Sequence, residues 1–239
     1  MSTVFVVNRG IDAGSALARG LAARGERVVL IDDEVRPADA AGSYQRITCP
    51  LASRDALAQA FDDAVARFGV PDQVVASILA PAALRPCAIH ELSDDVWQLA
   101  CRDAMKGLLH VLQAAFAHMG ERGGSVVAIG PALSLAGAGQ LVALSAAVEG
   151  QRGLVKSTAR QWGRRGLTVN WVAVAPHAMS PLFEGLPLPL KPDPVMVAFG
   201  QRPALDDGIA GVIEFLGSAA GKAMTGATVM ADGGEWMVP

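Results

Sequence analysis

The sequence predicts an α/β fold wound around a parallel sheet, with residues 1–239 forming a single domain. Three observations lead there. Short β-branched runs alternate with longer Ala- and Leu-rich stretches from the N-terminus onward, the pattern of successive right-handed βαβ crossovers. A length of 239 residues suits one such domain and buries enough surface to need no staples. Cys49, Cys87 and Cys101 include no CxxC pair and are odd in number, so they form neither a disulfide framework nor a zinc site.

Each element follows from its local pattern. Val4–Val7 is the first strand, and Ala13–Arg24 is a helix stopped by Gly25. Val28–Ile31 is a strand running into Asp32 and Asp33, followed by Arg46–Cys49, a helix over Arg54–Phe68 and the strand Gln73–Ile78. A long apolar helix, Asp94–His118, precedes the strand Ser125–Ile129. A second long helix over Leu141–Gly163 leads into the strand Thr168–Ala175. From His177 to Pro203 the chain carries Pro181, Pro187, Pro189, Pro192, Pro194 and Pro203, too many for a regular element, and reads as a lid or arm. The helix Asp206–Gly217 and the strand Ala227–Ala231 close the fold.

Composition narrows the partners. A net charge of −3 leaves no basic footprint for nucleic acid and no polybasic stripe for a membrane. The uncharged stretch from Gly123 to Val148 is long enough to span a bilayer but is interrupted by Pro131, Gly137, Gly139 and Gln140. With no targeting segment and no disulfide pattern, the expected location is the cytoplasm. Only 18% of residues are charged and 51% are hydrophobic, which points to outer surface covered by another subunit.

Several segments, in order and at matching spacing, resemble the short-chain dehydrogenase/reductase family over essentially the whole chain. Leu21-Ala22-Ala23-Arg24-Gly25 matches the end of the family's first helix, and Phe68-Gly69-Val70-Pro71-Asp72 its turn into the fourth strand. Glu91-Leu92-Ser93 with Trp97, Gly166-Leu167-Thr168-Val169-Asn170, Met224-Thr225-Gly226 and Asp232-Gly233-Gly234 continue the match. The resemblance implies a Rossmann-like doubly wound sheet and, in ordinary members, a serine, tyrosine, lysine and asparagine that move a proton at the substrate oxygen. Aligned here, Leu144 stands at the tyrosine position, Val148 at the lysine, Pro131 at the serine and Ala104 at the asparagine. None of the four can transfer a proton. The chain's one tyrosine, Tyr44, lies just before the third strand, far in sequence from the helix that would carry the catalytic group.

The cofactor cradle departs from the family as well. A phosphate-binding turn needs glycines for close approach and free N–H groups at a helix start. The corresponding stretch places Asn8 and Asp12 at the first two glycine positions and keeps Gly10 and Gly14. Asp12 is expected to cap the helix with its own carboxylate and to repel a diphosphate by about 4 kcal/mol. Ala76-Ser77-Ile78-Leu79 replaces Asn-Asn-Ala-Gly, Pro50 follows Cys49 where an aspartate commonly meets the adenine, and Val174-Ala175-Pro176 departs from Pro-Gly. Asp32 is retained where members that prefer NAD bind the ribose, although it also reads as a solvated acid beside Asp33 and Glu34. The expectation is that this chain holds no cofactor and no metal.

The resemblance implies assembly surfaces in the two long helices and in the C-terminal strand and helix. The first long helix carries Trp97, Ala100, Met105, Leu108, Leu112 and Phe116, the second Leu141, Leu144, Ala147, Leu154 and Trp162. Each is apolar over more than one face, while core packing is the reading for Trp97 and Phe116 taken singly. The chain ends in an apolar tail, Trp236-Met237-Val238-Pro239, read either as a subunit contact or as a disordered end. Heteromeric members of the family that act on acyl-CoA or related substrates pair a degenerate subunit with a functional one. Two readings follow. The first is a non-catalytic subunit joined to an active paralogue, as a heterotetramer with NAD(H) in the partner. The second is replaced chemistry, as a lyase, cyclase or hydrolase, using Ser134, Ser145, Glu149 and His177 in the old pocket, or an atypical oxidoreductase.

Overall fold

The computed structural model describes residues 1–33, 43–186 and 197–237. Among them, seven strands form one parallel sheet in the order β3-β2-β1-β4-β5-β6-β7. The first half comprises β1 (Thr3–Arg9), α1 (Ala13–Ala23), β2 (Arg27–Asp32), β3 (Gln45–Thr48), α2 (Arg54–Phe68) and β4 (Gln73–Ile78). The second comprises α3 (Asp94–Trp97), α4 (Asp103–Met119), β5 (Gly124–Pro131), α5 (Leu133–Ala136), α6 (Val142–Trp162), β6 (Leu167–Val174), α7 (Pro176–Met179), α8 (Ala210–Gly217) and β7 (Thr228–Ala231). This is the doubly wound α/β fold the sequence predicts.

The sheet is covered on both faces, as parallel sheets require. All residues of β4 and β6 are buried. α1 turns Leu17, Ala18 and Leu21 inward at helical spacing. α2 does the same with Leu57, Ala60, Phe61 and Ala64, is capped by Ser53 accepting from the Ala56 N–H, and stops at Gly69 with φ of 88°. Gly150 of α6 faces Met105 of α4: a Cβ there would stand 2.5 Å from the Met105 sulfur, so that side chain would have to move.

The structure corrects several expectations. The helix foreseen over Asp94–His118 contains a π-helical segment, Gln98–Arg102, between α3 and α4, and a second such segment, Leu205–Ile209, precedes α8. Trp97, expected in the core, is 40% exposed at the end of α3, just before the π segment; Phe116 is partly buried and stacks on Trp162 at 5.0 Å. In the lid foreseen at 177–203, α7 and a 3-10 segment, Pro181–Gly185, provide short regular structure, each opened by the proline that suits a first helical position. Residues 187–196 of that lid lie outside the described residues, as do 238–239 of the tail and Glu34. Within the tail Trp236 is buried at 7% exposure, its backbone N–H donating to Asp232 Oδ2, whereas Met237 is 80% exposed. Among the described residues no helix is long and apolar enough to cross a membrane.

Candidate functional site

Strand order reverses between β1 and β4, and ligands in doubly wound sheets sit in the crevice beyond the carboxyl ends at such a switch point. The chain's own side chains line this place. Asn8, on the last turn of β1, is fully buried: its Oδ1 accepts from the Gly14 N–H at 3.1 Å and its Nδ2 donates to the Ile11 carbonyl at 2.8 Å. A side chain thus takes an N–H at the start of α1 that a phosphate turn leaves for its ligand. Asp12, expected to cap α1, makes no side-chain cap bond; its backbone sits at φ −82°, ψ 41°, outside the extended conformation that aims an N-cap oxygen at the following N–H groups. Gly10, with φ of 90°, is the residue that lets this turn lie against β4, since a Cβ there would be 1.9 Å from the Leu79 carbonyl oxygen.

Arg9 spans the same crevice. Its Nε bonds Asp33 Oδ2 at 3.2 Å beyond β2, and its Nη1 donates to the Asp103 carbonyl at 3.3 Å at the start of α4. A space of about 20 Å³ remains between Arg9, Ala52, Asp103, Lys106 and Gly107. Asp32 is not the solvated acid considered above: it is fully buried, and Arg46 Nη1 donates to its Oδ2 at 2.9 Å. The β2–β3 register places Asp32 opposite Thr48 and brings Arg46 within reach. Arg46 Nη2 also donates to Ser15 Oγ at 3.0 Å and Tyr44 Oη at 3.2 Å. The single tyrosine therefore sits at the β3 edge, with four strands between it and β6 on the side of α6. Burial, reinforced by Asp33 and Asp32, pushes the Cys49 thiol up to about 11.

The four positions aligned with the catalytic group lie together around the β4, β5, α4 and α6 packing. Ala104, Leu144 and Val148 have no exposed surface, and Pro131, ending β5, is buried. Between them lies a residue sequence reasoning missed. Gln151 is 1% exposed, and its Nε2 donates to the carbonyls of Ile78 at 2.8 Å and Ala104 at 3.1 Å. Its signal was spacing: Gln151 falls three residues after Val148 and seven after Leu144, on the same inward face. A lone amide there requires buried partners.

The residues considered for replaced chemistry are not joined. The hydroxyls of Ser134 and Ser145 and Nδ1 of His177 are buried without a hydrogen-bond partner, so no bond links them. Ser145 is only partly buried as a residue, but its hydroxyl is enclosed. Glu149 is exposed and holds Arg152 Nη1 through both oxygens, at 2.7 and 2.6 Å. Burial, then Arg202, lowers the His177 pKa, which Glu235 and Glu184 only partly offset. Among the described residues no three His, Cys, Asp or Glu side chains gather to hold a metal ion. An apolar cleft of about 460 Å³ lies elsewhere, beyond β7 between Phe199, Pro203, Ile209, Val212, Met230 and Trp236.

Comparison with known proteins agrees with this architecture. The family model described as enoyl-(acyl carrier protein) reductase matches residues 6–235. The chain is 32% identical to the cis-4-hydroxycyclohexanecarboxylate dehydrogenase of Sinomonas cyclohexanicum, covering 92% of this chain and 91% of that protein. It is 27% identical to the 3-oxoacyl-[acyl-carrier-protein] reductase of Escherichia coli, covering 100% and 98%. A dehydrogenase/reductase structure from Sinorhizobium meliloti superposes with a TM-score of 0.80 at 26% identity, covering 98% and 94%. Sheet order, the switch-point crevice and these full-length matches together establish that the chain belongs to the short-chain dehydrogenase/reductase family.

Proposed function

We propose that this chain is a non-catalytic subunit that assembles with a catalytically active short-chain dehydrogenase/reductase paralogue and supports it. One observation carries the reading: Leu144 and Val148, at the positions of the proton-transferring pair, are fully buried beside the Gln151–Ala104 bond. A substrate oxygen placed there would meet methyl groups and no ionisable hydrogen. The cofactor side supports it too. With the Gly14 N–H bonded to Asn8, Asp12 beside the helix start and Arg9 tied across the crevice, these residues do not fit a dinucleotide. NAD(H) would then belong to the partner, and no step is assigned to this chain.

The substrate class comes from the relatives. One is named for a hydroxycyclohexanecarboxylate and another for a 3-oxoacyl group on a carrier protein. A hydroxyacyl or ketoacyl substrate, on coenzyme A or a similar carrier, is the class this reading assigns to the assembly. Replaced chemistry has less support, because Ser134, Ser145 and His177 share no hydrogen bond. Co-expression with candidate paralogues is the test: an active complex that loses stability without this chain supports the reading. Turnover of NAD(P)(H) by the isolated chain overturns it.

A further inference from the structure

The outer face of α6 carries a charge pattern that the fold does not require. Arg152, Lys156, Arg160 and Arg164 recur every four residues, so they stack along one side of the helix and its continuation. No aspartate or glutamate occurs between Gly150 and Phe183, although the whole chain is net negative at −3. Arg152 is taken by Glu149 and neighbouring Arg165 by Glu121. Among the described residues no ion pair engages Lys156, Arg160 or Arg164, and all three are exposed.

Like charges four apart destabilise a helix slightly. The helix dipole rewards cations only in the last turn, which accounts for Arg160 but not for Lys156, near the middle of a 21-residue helix. The stripe is also not flat. Lys156 and Arg160 form one wall of a cleft of about 310 Å³ whose other wall is the Thr225–Gly226 turn. A carboxylate side chain entering that cleft would meet two cations and the Thr225 hydroxyl, whose oxygen already accepts from the Val169 N–H.

A second copy of this chain docking by the same face would set the stripe against itself, because a two-fold contact is self-complementary. We propose that the stripe selects the partner: the outer face of α6 docks on a related chain presenting carboxylates there and disfavours docking on its own copy. The inference rests on the silent-subunit reading above for the kind of partner, while the charge preference is measurable without it. Partner choice by repulsion as well as attraction is an established device of paired helices.

The probe is a copy of the chain with the stripe reversed, K156E/R160E/R164E, followed by sedimentation velocity at low and high salt. The expected result is that a 1:1 mixture of wild type and variant associates about tenfold more tightly than either alone, and that the excess vanishes in high salt. Equal association in all three samples overturns the proposal, as does wild-type self-association that reversal abolishes. R160E alone, mixed with wild type, gives a smaller excess and serves if the triple variant does not fold. NAD(H) turnover by the isolated chain would remove the silent-subunit reading and leave the sedimentation result standing.

Discussion

Gln151 on α6 donates to the backbone carbonyl of Ala104 on α4 at 3.1 Å, and the same nitrogen reaches Ile78 at the end of β4. One buried amide thus ties three elements at the place where the family's proton relay stands. Gln151→Leu removes both bonds and with them the only side-chain donor, among the described residues, to the Ile78 and Ala104 carbonyls. Unfolding in urea should show a loss of about 2–3 kcal/mol, with dinucleotide affinity unchanged.

Restoring the missing pair in the aligned positions is expected to fail. The double variant L144Y/V148K puts a phenol and an ammonium where the native residues have no exposed surface. Burial of an unpaired charge and overpacking together should cost about 3 kcal/mol or more, and NAD(H)-dependent turnover should stay at background. Measurable turnover in the double variant would show that the site opens.

Asn8→Gly with Asp12→Gly tests the crevice. The first change releases the Gly14 N–H and the second removes a carboxylate from the helix start. Calorimetric titration with NAD(H) should show affinity at least about tenfold higher for the double variant than for the wild-type chain, whose binding should be weaker than micromolar. Micromolar binding by the wild type would contradict the proposal that the crevice is closed to a dinucleotide.

Stability should fall at both ends of the pH scale. The folded state holds the Cys49 proton more tightly than the unfolded chain, so stability declines as pH rises from about 9 toward about 11, by up to about 2–3 kcal/mol. Burial lowers the pKa of His177 and His110, so the unfolded chain binds protons more readily and stability declines as pH falls through 6.5. Cys49→Ala should flatten the alkaline limb of a thermal-melt series and leave the acid limb intact.

Much of the fold was legible because periodicity and punctuation survive in single segments. The bounds of α2 and β4 match their sequence patterns, since Ser53, Gly69 and Pro71 mark their ends. The π turn at Gln98–Arg102 was not legible, because its residues fit an α-helical pattern and only packing against α6 reveals the slip. Leu144, Val148, Ala104 and Pro131 are legible from family spacing, but their surroundings are not. By sequence Asn8 is a lost glycine; in the fold its amide closes the turn itself. Asp32 was read by its neighbours in sequence, when its partner Arg46 comes from the adjacent strand. In each case the deciding contact lies across elements, where local pattern carries no information.

The exposed Trp97, at the end of α3 beside the π segment, has a consequence for light. Trp171 is 1% exposed, with its ring lodged against Gly130, and Trp236 is nearly as enclosed, whereas Trp97 stands 40% exposed on the flank of α3. Aqueous quenchers should therefore silence the Trp97 emission first and spare the short-wavelength emission from the interior. Any chain that docked over that flank would shield the same indole, and one docked elsewhere would leave it quenchable, so this emission would report which side is covered.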